Sequence, residues 1–171
     1  NRCLILAEIF KKRKIKVHFI CKNLKGNVTN KIKLRGYNLH LIKNVRNPNY
    51  EDYLNTKKIL EKFKNETCYL VIDNYHWDEK YEQKLRFLVE KIIVIDGDGS
   101  LLMRMGSMAT TAHYNPTNML HILLDNNSHD STGGQSTVSH DVDFVSVAAS
   151  CSYENSVYIH DISELQANIS K

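Results

Sequence analysis

The chain has 171 residues, enough for one compact domain with a core or for two small half-domains. No run of about 18 apolar residues occurs, which argues against a membrane span. The net charge of +4 is unevenly divided, since residues 1–95 carry 21 basic and 10 acidic side chains and residues 96–171 carry 2 and 9. The lysine-rich blocks lie on polar sides of amphipathic segments without interleaved aromatic residues, which indicates a solvated surface rather than a nucleic-acid partner.

In chain order, helices are predicted over residues 4–12, 27–35, 50–64, a segment after Asp78, 101–111, 142–149 and from 162 onward. Strands are predicted over residues 15–21, 39–42, 67–72, 91–95, 119–124 and 156–159. This alternation predicts an α/β fold of three layers, with a mainly parallel sheet and helices on both of its faces, as in Rossmann-like proteins. His18 and His121 lie within predicted strands and are interpreted as core or lining residues.

Four cysteines, Cys3, Cys21, Cys68 and Cys151, are far apart in the sequence and have aliphatic neighbours. No CxxC pair is present, so neither a zinc site nor a disulfide framework is indicated. We therefore expect reduced thiols and a cytoplasmic protein.

Polar residues collect where the predicted strands end, which is where parallel sheets bind ligands. Asp98 follows the strand 91–95 within a Gly-Asp-Gly-Ser turn, and Asn126 follows the strand 119–124. Carboxylate and amide oxygens suit a hard cation such as Mg²⁺, and Gly97 and Gly99 allow close backbone approach to a diphosphate. Asp-Gly turns are common after strands, so the turn alone could be structural. Asp98 and Asn126 are 28 positions apart, however, and this joint spacing resembles the thiamine-diphosphate signature.

A longer resemblance covers residues 94–171. The strings GDGSLLMRMGSMAT and NMLHILLDNNSHDSTGGQSTVSHDVDFVSVAASCSY resemble the C-terminal cofactor domain of phosphonopyruvate decarboxylases. The resemblance implies thiamine diphosphate and Mg²⁺ as cofactors, with Asp98, the Asn126 side chain and the Ser128 carbonyl as metal ligands. It also implies that Gly97, Gly99 and Ser100 lie against the diphosphate, and that His129 and residues 131–135 border the substrate. The polar loop 125–140 is too long to be a simple connection and is a candidate for function.

Residues 1–96 resemble a different family. RCLILAEIFKKRKIKVHFICKNLKGN, CYLVIDNYHWDEKYEQKLR and KIIVID are similar to the N-terminal half of the nucleotide-sugar hydrolase of pseudaminic acid biosynthesis, which releases UDP from a diacetamido-trideoxy sugar. The resemblance implies a nucleotide-sugar site containing Arg2, Asp73 and Tyr75. The GxGH loop that carries the catalytic His of that family would precede Asn1.

The two resemblances meet at the strand that ends in Asp96, which predicts a hydrolase-like half-domain over residues 1–95 and a thiamine-diphosphate-binding segment over residues 96–171. Three functions remain open. The first is the cofactor-binding portion of a decarboxylase acting on phosphonopyruvate, whose partner domain or subunit supplies the Glu that activates the cofactor. The second is a nucleotide-sugar hydrolase fragment, and the third is a non-catalytic hybrid. We expect the isolated chain to be inactive in either reaction.

Overall fold

The computed structural model describes residues 2–22, 24, 28–42, 48–73, 81, 84–130 and 133–169. The chain divides into two compact units, Asn1–Ile93 and Val94–Lys171. Helices and strands alternate along the described residues, which confirms the predicted α/β class. None of the helices seen in these residues has the length and apolar character that crossing a membrane requires.

The first unit is built from short helices and strands. Its elements are α1 (Arg2–Lys12), β1 (His18–Lys22), α2 (Thr29–Leu34), β2 (Asn38–Ile42), α3 (Pro48–Leu60), β3 (Tyr69–Ile72) and the beginning of β4 (Lys91–Gly97). Strands β1 and β2 are parallel, with His18 opposite Asn38 and Lys22 opposite Ile42. Strand β3 lies beside the beginning of β4. Most of the predicted helix after Asp78 lies outside the described residues.

Strand β1 begins three residues later than the sequence predicted, because the end of α1 uses those residues. Lys14 adopts a left-handed backbone conformation with φ of 61°. The Ile15 N–H then returns to the Phe10 carbonyl at 3.0 Å, which satisfies a carbonyl that the helix leaves free. Gly36, at φ of 73°, ends α2 in a similar way, and the Tyr37 N–H donates to the Ile32 carbonyl at 3.3 Å.

The core of the first unit is apolar but also encloses one ion pair. Its most deeply buried aliphatic residues are Ile32, Leu85, Ile92 and Ile72. The Lys22 ammonium group forms an ion pair with the carboxylate of Asp52, which is fully buried. The lysine neutralises this carboxylate, so we interpret the pair as a structural contact at the end of β1.

The second unit contains the rest of β4 beside β5 (Met119–Leu124), followed by a short antiparallel pair, β6 (Ser128–His129) and β7 (Gln135–Ser136). Its helices are α4 (Asp98–Met103), α5 (Gly106–Tyr114), α6 (Phe144–Ser150) and α7 (Ile162–Ile169). Leu101, Met108, Phe144 and Ala148 form its buried core, which therefore joins α4, α5 and α6.

Two predictions for the second unit are wrong. The single helix predicted over residues 101–111 is two helices, because α4 ends at Arg104, where φ is −132°, and α5 starts afresh at Gly106. Glycine weakens a continuing helix at this point. The strand predicted over residues 156–159 is absent, since this segment has no regular secondary structure. Val157 and Tyr158 are exposed and the other two residues are only partly buried, so this segment does not form a pleated, half-buried strand.

Helix α2 offers a matched test of the first unit's core. Ile32 is 0% exposed and Leu34 is 88% exposed on the same helix. We expect Ile32→Ala to lower the free energy of unfolding by about 2–5 kcal/mol, because it removes buried methyl groups and leaves a cavity. Leu34→Ala should change it by less than about 0.5 kcal/mol. Denaturant unfolding of both variants measures the difference, and equal losses would contradict this placement of the core.

Candidate functional site

The turn between β4 and α4 buries a carboxylate. Strand β4 ends at Gly97 in extended conformation, and α4 begins directly at Asp98. The Asp98 side chain points inward, so that the residue is only 1% exposed. A carboxylate buried to this extent must be hydrogen-bonded, since an unpaired one is strongly unfavourable.

Three hydrogen-bond donors surround the Asp98 carboxylate. The Thr137 hydroxyl donates to Oδ2 at 2.5 Å, and the backbone N–H groups of Gly99 and Asn126 also donate to the carboxylate. Burial alone would raise the pKa of Asp98, but these hydrogen bonds together outweigh it and hold the pKa below its usual value. The carboxylate is therefore an anion at neutral pH.

The hydrogen bond from the Asn126 backbone joins this carboxylate to the turn after β5. Just after β6, the Asp130 carboxylate accepts hydrogen bonds from both of the other predicted metal ligands. The Asn126 side-chain N–H₂ donates to Asp130 Oδ2 at 2.8 Å, and the Ser128 hydroxyl donates to Asp130 Oδ1 at 2.8 Å. The Asn126 side-chain oxygen accepts from the Ser128 N–H at 3.2 Å. The structure thus brings Asp98, Asn126 and Ser128 into one small region.

Gly99 is needed because an imidazole ring lies against it. A Cβ added to Gly99 would stand 2.3 Å from Nδ1 of His129, far inside a contact distance. Gly97 and Gly99 both lack the positive φ that only glycine adopts readily, so the requirement at Gly99 is for space. His129, predicted at the substrate end of the site, therefore packs over Gly99 in the first turn of α4.

The segment predicted as a long polar loop contains regular secondary structure. Residues 128–129 and 135–136 pair as β6 and β7, and a 3-10 turn covers Ser139–Asp141. Gly133 and Gly134 have positive φ values of 127° and 76°, which lets the chain reverse between the two strands. Ser131 and Thr132, part of the predicted substrate border, lie outside the described residues.

Sequence reasoning missed two residues of this region, Thr137 and Ser139. Both are hydroxyl residues in a polar segment, where solvent exposure is the ordinary expectation. Neither motif spacing nor hydrophobic pattern singles them out, because the contact of Thr137 with Asp98 and those of Ser139 with the turn after β5 arise only when the hairpin folds back. His121, interpreted as a lining residue, is half-buried and bonds Asp96 Oδ2 at 3.0 Å and the Tyr153 hydroxyl at 3.3 Å.

The oxygen atoms near Asp98 suit a hard divalent cation. The described residues contain no cluster of three or more His, Cys, Asp or Glu side chains that could hold a metal. The predicted metal ligands do not form such a cluster, because they are one carboxylate, one side-chain amide oxygen and one backbone carbonyl. Oxygen-only ligation with few charges is what Mg²⁺ bound to a phosphate compound requires, because water and phosphate complete its coordination. The donor chemistry therefore fits the group.

The predicted nucleotide-sugar residues of the first unit are only partly described. Asp73, just after β3, accepts a hydrogen bond from the Cys3 thiol at 3.2 Å, which places it beside the start of α1. Arg2 is the first residue of that helix. The Arg2 side chain and the whole of Tyr75 lie outside the described part of the chain. The role of these three residues stays a prediction.

Residues 83–171 match the family described as thiamine pyrophosphate enzyme, C-terminal TPP binding domain. This match covers just over half of the chain. The chain belongs to this family. The family's cofactor is thiamine diphosphate, the cofactor that the Gly-Asp-Gly-Ser turn and the asparagine after β5 indicated in the sequence.

Curated relatives match parts of the chain. The chain is 58% identical over 62 residues to the phosphonopyruvate decarboxylase of Streptomyces hygroscopicus, which is 36% of this chain and 16% of that protein. It is 50% identical over 48 residues to the sulfopyruvate decarboxylase subunit beta of Methanocaldococcus jannaschii, or 28% of this chain and 26% of the relative. With the same subunit of Methanothermobacter thermautotrophicus it shares 36% identity over 77 residues, 45% of this chain and 42% of the relative. The chain thus spans less than half the length of each of these relatives.

The contact between Gly99 and His129 predicts a steric coupling. We expect Gly99→Ala to lower the free energy of unfolding by about 1–3 kcal/mol, because the new methyl group displaces the imidazole ring. Adding His129→Ala should recover most of that loss, which a double-mutant cycle on denaturant unfolding would measure. Gly106→Ala is the matched control, since a Cβ there meets nothing within 4 Å. Additive effects of the two substitutions would contradict the contact.

Proposed function

We propose that the second unit binds thiamine diphosphate together with Mg²⁺ and forms the cofactor half of the active site of a 2-oxo-acid decarboxylase. The observation that carries this proposal is the buried, ionised Asp98, whose hydrogen-bond donors are all neutral groups. Its negative charge is stabilised but not neutralised, so the site favours a cation. Membership of the thiamine pyrophosphate enzyme family gives that cation a purpose, which is to hold the diphosphate.

Within this proposal each predicted residue has a role. Asp98, the Asn126 amide oxygen and the Ser128 carbonyl oxygen bind Mg²⁺. Gly97, Gly99 and Ser100 lie against the diphosphate, and His129 borders the substrate. When bound, thiamine diphosphate supplies the carbanion chemistry of decarboxylation, and the chain's residues bind and orient it.

The names of the relatives support an anionic 2-oxo acid as substrate. Phosphonopyruvate and sulfopyruvate are both pyruvates that carry an additional acidic group. We favour phosphonopyruvate, because identity is higher to the decarboxylase that is named for it. The second unit alone is poorly suited to such a substrate, since residues 96–171 carry 9 acidic and only 2 basic side chains. Positive charge for the substrate must come from outside these residues.

A partner domain or subunit also supplies the Glu that activates the cofactor in this proposal. The relatives called subunit beta support it, since their name implies at least one other subunit. No residue placed near Asp98 in the described structure offers a free carboxylate for the task. Asp130, for example, is already bonded to Asn126 and Ser128.

A nucleotide-sugar hydrolase fragment is the second candidate, and it concerns the first unit only. The hydrogen bond between Cys3 and Asp73 favours it, because this contact places two predicted site regions, the start of α1 and the end of β3, side by side. No similar protein among the relatives supports this candidate. It therefore ranks below the decarboxylase proposal.

The cofactor proposal is tested by titrating thiamine diphosphate against the purified chain with and without Mg²⁺ in a calorimeter. We expect binding only with Mg²⁺, and at least about tenfold weaker binding in Asn126→Ala, which removes one ligand oxygen. Asn115→Gly is the matched control, because Asn115 has φ of 37° after α5, away from this turn, and glycine preserves that backbone.

A larger loss in Asn127→Gly than in Asn126→Ala would move the ligand role to Asn127. Failure of the parent chain to bind thiamine diphosphate at any Mg²⁺ concentration would reject the proposal.

Activity of the isolated chain provides a separate test with a negative expectation. With thiamine diphosphate and Mg²⁺ we expect no carbon dioxide release from phosphonopyruvate, because none of the described residues near Asp98 can take the place of the partner's Glu. We likewise expect no UDP release from the diacetamido-trideoxy nucleotide sugar. Carbon dioxide release that is lost in Asp98→Asn would contradict this expectation and show that the chain contains a complete site.

A further inference from the structure

Two buried hydroxyl groups stand out in an exposed segment. Of residues 133–141, only Thr137 and Ser139 are buried, at 4% and 3% exposure. Their side chains face the turn that contains the predicted ligands. The Thr137 N–H also donates to the Asn127 carbonyl at 3.1 Å, so the segment is tied to that turn through its backbone as well.

The hydrogen positions of these hydroxyls follow from counting donors. Thr137 has one hydroxyl proton, and its shortest contact, 2.5 Å to Asp98 Oδ2, takes that proton because a carboxylate can only accept. The Thr137 oxygen then accepts from the Ser139 backbone N–H at 3.4 Å, and the Ser139 hydroxyl oxygen lies 3.0 Å from it. The Thr137 proton is therefore directed to Asp98, and the Ser139 proton is left for other acceptors.

Ser139 connects this link to the turn after β5. Its hydroxyl oxygen lies 2.8 Å from Asp125 Oδ1 and 2.9 Å from Asn127 Oδ1. Both of these atoms are acceptors, so the single Ser139 proton is shared between two residues that flank Asn126 on either side. One hydroxyl thereby restrains both flanks of the predicted ligand.

We propose that Thr137 and Ser139 are positioning residues that hold Asp98 and the turn 125–127 in their ligand arrangement before the cofactor binds. The inference rests on the proposed function, because that function makes Asp98 and Asn126 metal ligands. Neither hydroxyl is a metal ligand in this scheme. Thr137 restricts the motion of the Asp98 carboxylate, and Ser139 restricts the turn 125–127. Cofactor binding then loses less conformational entropy in ordering these groups.

The test uses the whole chain and two kinds of measurement. Thr137→Val keeps the side-chain shape and removes the donor, Thr137→Ser keeps the donor, and Thr117→Val is an exposed control of the same chemistry. Ser139→Ala removes the second hydroxyl. Hydrogen exchange without cofactor follows the amide of Asn126, which donates to Asp98, and calorimetry follows Mg²⁺-dependent binding of thiamine diphosphate.

We expect Thr137→Val and Ser139→Ala to speed exchange at Asn126 and to weaken binding about tenfold, which is the range for losing a hydrogen bond to a charged group. Thr137→Ser and Thr117→Val should behave like the parent chain in both measurements. If Thr137→Val does not fold, Ser139→Ala and Thr137→Ser carry the comparison. Unchanged exchange and binding in Ser139→Ala and Thr137→Val would overturn the inference.

The outcomes also separate the inference from the proposed function. A parent chain that binds the cofactor normally, with variants that bind equally well, rejects only the positioning role. A parent chain that fails to bind thiamine diphosphate rejects the proposed function and with it the ligand arrangement. A loss of binding in Thr137→Ser as large as that in Thr137→Val would also overturn the inference, because the hydroxyl donor retained by serine should preserve cofactor binding.

Discussion

The second unit is organised around the need to stabilise one buried negative charge. An ionised carboxylate that leaves water loses a large hydration energy, which must be replaced by hydrogen bonds or by an opposite charge. At Asp98 the replacement comes from its own helix, from the Asn126 backbone and from the Thr137 hydroxyl 39 positions further along the chain. A local turn is in this way converted into a contact between distant parts of the sequence.

The two units satisfy a buried carboxylate by different physical means. In the first unit Lys22 pairs with Asp52, and the pair has no net charge. In the second unit only neutral groups donate to Asp98, so its full negative charge persists inside the protein. The first arrangement suits a structural contact, whereas the second attracts a cation. This contrast supports a ligand role for Asp98 more strongly than its place in a Gly-Asp-Gly turn does.

The parts of this arrangement that could be predicted are those set by local sequence. The strand ending in Asp96, the turn at Asp98 and the strand 119–124 follow from apolar runs bounded by glycine or polar residues. Thr137 and Ser139 could not be predicted, since their burial depends on a hairpin whose register is decided by tertiary contacts. The strand expected at residues 156–159 failed for the opposite reason. Its residues have a high intrinsic preference for strands, but Val157 and Tyr158 stay exposed and the segment does not pair with a strand among the described residues.

The charge of the second unit limits what it can do alone. A buried anion and an excess of seven acidic side chains over basic ones in residues 96–171 favour a cation, and the cation in turn favours a diphosphate. In the proposed function, the same excess disfavours a substrate with two acidic groups, because its negative charges would repel these side chains. Binding of the cofactor and binding of that substrate would then make opposite electrostatic demands. An acidic cofactor half combined with a separate source of positive charge would satisfy both demands, which supports the proposed division of the active site between this unit and a partner.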